Sequence, residues 1–245
     1  MRPSVLLLPL LAVVATAACT PRAVTPPSRT FALSSATPPA PGQSDASLGV
    51  SHIGTIWGPE LAGGDARVRH AVRPGVVVEA DAGLLHLLNN GRGGSRTALA
   101  GRLGVLLTPP ADEAADVKVA LQLGAGGGHS RTAGAWGTFD LGAVLSGTHR
   151  WIRPLVGVGG GMSRPVGDRT FTVTMPDGES TTLRLPDNLS AHVTAGVELG
   201  RAERALLLGA TMTHFWLEES SIVGRTDEID DDLFFAVGAA FRFTL

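Results

Sequence analysis

Charged residues recur at alternate positions inside otherwise apolar stretches of this chain, and these are the groups that could do chemistry. Arg67, Arg69, Glu79, Asp81, Arg102, Lys118, Gln122, Asp140, Arg153, His192, Glu198 and Arg242 share their face with small residues and stand between large apolar neighbours. Acids and bases are in similar numbers, so the set can neutralise itself as a buried network of ion pairs and hydrogen bonds. A catalytic reading needs a base and an orienter, and His192 with Asp140 or Glu198 has the right types. His214, followed by Glu218, Glu219, Ser220 and Ser221, also has suitable types. Neither spacing matches a hydrolytic motif, so no catalytic residue is assigned. Residues 227–232 hold five acids in six positions but lack the glycine and terminal glutamate order of an EF-hand. Gly124–Gly128 and Gly157–Gly161 are glycine-rich without a phosphate-binding order, and they read as close strand packing or small interior residues. No metal site and no cofactor is expected.

The elements that position these groups are read from period-two alternation. In the last thirteen residues, Leu233, Phe235, Val237, Ala239, Phe241, Phe243 and Leu245 form one face. Phe234, Ala236, Gly238, Ala240, Arg242 and Thr244 form the other. A soluble sheet would carry a polar outer face. Here the large apolar side needs a lipid-like surrounding, and the small side with its one charge suits a narrow interior. The same pattern recurs at 76–87, 96–107, 116–126, 135–145, 151–162, 191–200 and 205–217, with weaker alternation at 49–57 and 66–72. Pro154 removes a ladder donor and predicts a bulge. Pro176-Asp177-Gly178 predicts a turn between short strands at 171–175 and 180–185.

Ten strands result, with eight as the alternative if 49–72 forms something else. Connections after even strands are short and those after odd strands mostly longer, as in barrels with short inner turns and long outer loops. The fold class is therefore all-β: an antiparallel up-and-down transmembrane β-barrel. The closing Phe243-Thr244-Leu245 resembles the last strand of Gram-negative outer-membrane barrels. Residues 49–245 as a whole resemble small proteins of that kind. The resemblance implies outer-membrane lipid and lipopolysaccharide as surroundings, with the acidic 227–232 able to bridge divalent ions to the latter. It also implies the barrel assembly machinery as a partner through the C-terminal strand. It transfers no functional residue.

Ahead of the barrel, Met1-Arg2, the apolar run Val5–Ala15 and the small residues Thr16-Ala17-Ala18 read as a signal peptide over 1–18. Cys19 follows at once, which resembles a bacterial lipobox and makes Cys19 the candidate lipid attachment site. It is the only cysteine, so no disulfide forms within one chain. Residues 19–47 are rich in Pro, Ser, Thr and Ala and read as a disordered periplasmic tether, leaving 48–245 as the barrel domain. Tyr is absent and Phe plus Trp total 8 and 4, few for the aromatic girdles of a membrane barrel. The net charge of −2 gives no bulk basicity for nucleic acid. The expected role is structural or interactive, with the lumen plugged by the polar side chains. Arg242 should find its acid among Glu198, Asp140, Glu79 and Asp81. A small-solute transporter or pore is the alternative, then a soluble lipocalin-like lipoprotein or a hydrolase sited at the rim.

Overall fold

The computed structural model describes residues 24–27, 29, 33–55, 60–88, 97–109, 115–131, 134–167, 170–174, 178, 180–201, 203–217 and 231–245. The signal peptide 1–18, Cys19, the loop 89–95, Glu218 to Ser221 and the acids at 227–230 lie outside these residues. The strands are β1 (Ser44–Thr55), β2 (Glu60–Arg73), β3 (Val76–Leu87), β4 (Thr97–Leu107), β5 (Val117–Ser130), β6 (Gly134–Gly147), β7 (Ile152–Val166), β8 (Thr170–Thr174), β9 (Ser180–Arg184), β10 (Asn188–Gly200), β11 (Arg204–Leu217) and β12 (Asp231–Thr244).

Ten of these close into one antiparallel barrel in the order β1-β12-β11-β10-β7-β6-β5-β4-β3-β2, while β8 and β9 form a separate hairpin between β7 and β10. Closure by β1 against β12, from Asp45 opposite Thr244 to Thr55 opposite Phe234, leaves the wall without an edge. Alternation sets the two surfaces. Leu103, Val50, Leu99, Val237, Val158 and Leu141 are among the large apolar side chains exposed outside. Glu79, Arg102, Gln122, Arg153, Glu198 and Arg242 are buried inside. This inside-out distribution is that of a membrane-spanning barrel. Few aromatics suffice to mark both ends of the apolar belt. Trp151 stands at one end beneath Arg150 and Arg201, whose guanidiniums lie 5.3 and 5.0 Å from its ring centre. Trp216 is exposed at the other.

Turns at 74–75, 148–151 and 201–203 fall at one end, together with the C-terminus and the start of β1. The β8–β9 hairpin, the end of β11 and the start of β12 fall at the other. At the tightest turn Pro74 occupies the second position and Gly75 the third with φ +77, which only glycine adopts freely.

Three details depart from the sequence reading. β1 begins at Ser44, inside the stretch read as tether, and β2 begins at Glu60 rather than Ala66. The alternation there is faint because Gly63 and Gly64 bring no side chains to alternate. Pro154 makes no bulge: β7 pairs with β10 without a break, and its ladder with β6 ends at Leu155 opposite Ser146, one residue short of the proline. The missing N–H therefore falls where no partner is needed.

The observed register gives a direct test. Val193 on β10 and Val119 on β5 both point outward, 48% and 40% exposed. Val193→Arg and Val119→Arg are each expected to lower the unfolding free energy from lipid vesicles by about 2–4 kcal/mol, the cost of a mid-bilayer arginine on a barrel's lipid face. A neutral result in urea titrations of both variants would place these positions inside.

Candidate functional site

The lumen is the site, and its content begins with the stretch expected to be a tether. The described residues between 24 and 40 lie inside the barrel rather than free in solution: Thr25, Leu33, Ser34, Ser35 and Ala36 are all buried. The reason is a fit to the wall at three levels.

At the first level the wall carries four carboxylates, Asp65, Glu79, Asp81 and Asp140, and two guanidiniums, Arg67 and Arg102. Arg67 Nε donates to Asp81 at 2.5 Å. Arg102 donates to both oxygens of Asp140 at 2.7 Å, and to Glu79 and Asp81 at 3.2 and 3.1 Å. Arg29 supplies the third cation from the N-terminal segment, at 2.7 Å from Glu79 and 2.8 Å from Asp81. Its side chain is only 8% exposed. Arg29 brings the cluster to three guanidiniums against four carboxylates, close to balance, and a buried charge is tolerated when it is paired in this way.

The second level is apolar. Leu33 packs with Ile53, Leu85, Leu155, Leu207 and Ala236. Gly196 and Gly209 face each other across β10 and β11, and a Cβ on either would lie within 3.1 Å of a Leu33 methyl. Their missing side chains make the socket. Gly104 and Gly124 do the same for the Arg102 guanidinium, which a Cβ on either would strike. In the glycine-rich stretch on β5, Gly124 thus makes room for Arg102 and Gly128 for the Trp136 ring.

The third level reverses the sign. Asp45 and Glu198 meet Arg69, Arg153 and Arg242. Arg69 reaches Asp45 at 2.5 Å, Arg153 reaches Glu198 at 3.0 Å, and Arg242 pairs with Asp45 at 3.2 Å and closely with Glu198. One cation is in excess, and backbone carbonyls of the inner segment face it. Arg69 donates to the carbonyls of Ser35 and Thr37, and Arg67 above it to that of Leu33, at 2.9, 3.3 and 2.9 Å. Ser146 accepts the Ala36 N–H at 2.7 Å. Ala36 then seals against Ala71, Val77, Leu106, Ala120 and Val144.

Every charged position assigned to the interior from sequence does face it. Arg67, Glu79, Asp81, Arg102 and Asp140 come together in one cluster, and Arg69, Arg153, Glu198 and Arg242 in the other. Lys118, half-buried, stands at the short-turn mouth outside both. His192 is half-buried and lines a small cavity with Arg29, Gln122 and Asp140. Both Asp140 oxygens accept from Arg102, and Glu198, six residues further along the same strand, is held by Arg153 and Arg242 in the other cluster. His214 points outward and lies edge-on to Trp216, ring centres 4.5 Å apart. Among the described residues no group of three His, Cys, Asp or Glu could hold a metal ion. Arg242 has one acid from the expected set, Glu198, and one outside it, Asp45. Arg29, Leu33, Asp45 and Asp65 are the residues that sequence reasoning missed. An isolated arginine and leucine in a small-residue, proline-rich stretch were the only signal.

Fold and site together define a class: a closed ten-stranded barrel, apolar outside, ionic inside, and occupied by its own N-terminal segment. No protein-family model matches the chain, and no curated protein matches it in sequence. Solved structures match in fold. An outer membrane channel from Pseudomonas putida F1 is 10% identical with a TM-score of 0.49, over 90% of this chain and 99% of that one. LpxR from Salmonella typhimurium is 10% identical with a TM-score of 0.46, over 84% and 85%. Neisserial surface protein A is 9% identical with a TM-score of 0.39, over 83% and 96%. These likenesses concern the barrel fold.

Proposed function

We propose that the protein is an outer-membrane barrel with a structural or interaction role, its lumen held shut by the N-terminal segment and the ion pairs around it. The observation that carries this is Arg29 completing the Glu79–Asp81–Asp140 cluster while Leu33 fills the socket beside it. Beside Arg29 the lumen keeps two cavities of about 20 and 40 Å³, both lined by Pro27 and Arg29. Each has room for a water or two but not for a hydrated solute stream. The exposed apolar belt supports the membrane, and the split between short turns and long loops supports an outer-membrane orientation with the short turns in the periplasm. Outer-membrane lipid and lipopolysaccharide are its surroundings in this reading, and the β12 strand is its handle for the assembly machinery. Cys19 as a lipid attachment site belongs to the same reading, and the mass of the mature N-terminus measures it. Purified wild-type protein in planar bilayers is expected to give little or no conductance. Large, steady currents would refute the closed lumen.

A gated passage for small solutes is a second reading. What favours it is that the occupying segment is no part of the wall: the ten-strand ladder closes without it. Transient currents that vanish when the segment is cross-linked to the wall would select this alternative.

A further inference from the structure

The inner segment has a direction. At the short-turn mouth the chain reverses through 40–43 before entering β1. The Gln43 N–H donates to the Ala40 carbonyl and the Gly42 N–H to the Ala71 carbonyl, both at 2.8 Å, and Gly42 has φ +78. Read backwards from that turn, the segment passes Arg69 at Ser35, the glycine socket at Leu33 and the acids at Arg29. It ends at Thr25, whose hydroxyl donates to the Pro186 carbonyl at 2.6 Å and whose carbonyl accepts from Asn188 at 2.8 Å. Pro186 and Asn188 lie between the β8–β9 hairpin and the start of β10, at the long-loop mouth. The segment therefore traverses the barrel from one mouth to the other. The segment and the ion pairs around Arg29 fill this part of the lumen, and the two small cavities beside Arg29 do not admit a second pass of chain, which favours an exit for what precedes Thr25 at the mouth that Thr25 has reached.

We propose that the chain ahead of Thr25 emerges on the outer face of the membrane, so that the mature N-terminus is displayed at the cell surface and not in the periplasm. This rests on the outer-membrane reading above, which decides the mouth that faces outward. Acyl chains on Cys19 would then enter the external leaflet. The six residues from Cys19 to Thr25 span about 20 Å when extended, enough to cross the rim. A terminus carrying lipid cannot be drawn through a lumen already closed by β1 and β12. The segment must be laid against the wall before those strands pair. The protein in this reading presents a short peptide, lipidated or not, on the cell exterior, with the barrel as the conduit that carries it there.

The test uses the full exported chain with an epitope inserted between Arg22 and Ala23. Two reference insertions mark the sides, one at Gly178 in the β8–β9 turn and one after His149 in a short turn. A heat-dependent gel shift checks assembly of each. On intact cells, antibody is expected to bind the 22/23 and 178 epitopes, and the 149 epitope only once the outer membrane is permeabilised. If the 22/23 epitope instead follows 149, the surface display is wrong while the membrane orientation stands. If 178 and 149 do not differ, the orientation itself fails and the display with it. Should the 22/23 insertion block assembly, Ala23→Cys labelled with a maleimide polymer too large to enter the periplasm gives the same readout. Labelling of intact cells supports the display, and labelling only after permeabilisation overturns it.

Discussion

Arg29→Glu is expected to turn a silent barrel into a conducting one. The substitution leaves five carboxylates, Asp65 among them, against the two guanidiniums of Arg67 and Arg102, all in a space where charges are nearly dry. Charges of one sign without partners in such a place cost several kcal/mol, so the segment is expelled rather than held. Leu33 then leaves its socket and the carbonyls of Ser35 and Thr37 leave Arg69. The wall keeps its backbone ladders, which do not involve residues 24–40. Single-channel recording should therefore show stable openings in Arg29→Glu where the wild type shows little or none. Selectivity should be weak, because the bared wall holds an acidic excess at one cluster and a basic excess at the other. Arg29→Lys restores the charge without the forked geometry that reaches Glu79 and Asp81 together, and intermittent openings are expected from it. An Arg29→Glu barrel that folds and stays closed would show that the segment is not what closes the lumen.

The wall could be read from the sequence and the occupant could not, for one physical reason. Alternation reports a residue's two surroundings when the chain itself builds both, as at Val117 to Leu123 or Ala191 to Leu199. Each large apolar residue there faces outward and each charged or polar one inward, and the assignments of Arg102, Glu198 and Arg242 to the interior followed. The stretch around residues 24–40 builds nothing by itself. Its Pro, Ser, Thr and Ala content cannot bury a core of its own, which is all that composition measures. It is buried by a wall made elsewhere in the chain. The features that suggest a tether also suit it to this place. A proline-rich extended backbone has no internal hydrogen bonds, so its carbonyls remain free to accept from Arg67 and Arg69. Ser44 to Ser47 were lost to the tether for the same cause: their small polar side chains look like linker, yet they pair with Arg67 to His70 and with Arg242 to Thr244. Ten strands enclose more space than the side chains of an eight-stranded barrel would fill. The sequence reading expected polar side chains alone to plug it, and the N-terminal segment takes up the difference.

Glu198→Ala is expected to be the most damaging single change to the wall, more so than Arg242→Ala. The difference lies in the charge left behind. Removing Arg242 leaves Asp45 with Arg69 and Glu198 with Arg153, two acids facing two bases, both still in contact. Removing Glu198 leaves Arg69, Arg153 and Arg242 around Asp45 alone. Glu198 is fully buried, so water cannot take over its role. It also ties three strands, since it stands on β10 while Arg153 comes from β7 and Arg242 from β12, the strand that closes the barrel on β1. Breaking a buried pair in this way costs about 3–5 kcal/mol, and Glu198→Ala should fall in that range or above, with Arg242→Ala below it. Arg153 pairs with one acid only, and Glu198 keeps Arg242 when Arg153 is removed, whereas Arg242 holds both acids, so Arg153→Ala should cost least. Urea unfolding in lipid vesicles ranks the three. An order with Arg242→Ala or Arg153→Ala ahead of Glu198→Ala would mean that geometry within the cluster, and not its charge balance, governs the closing strand.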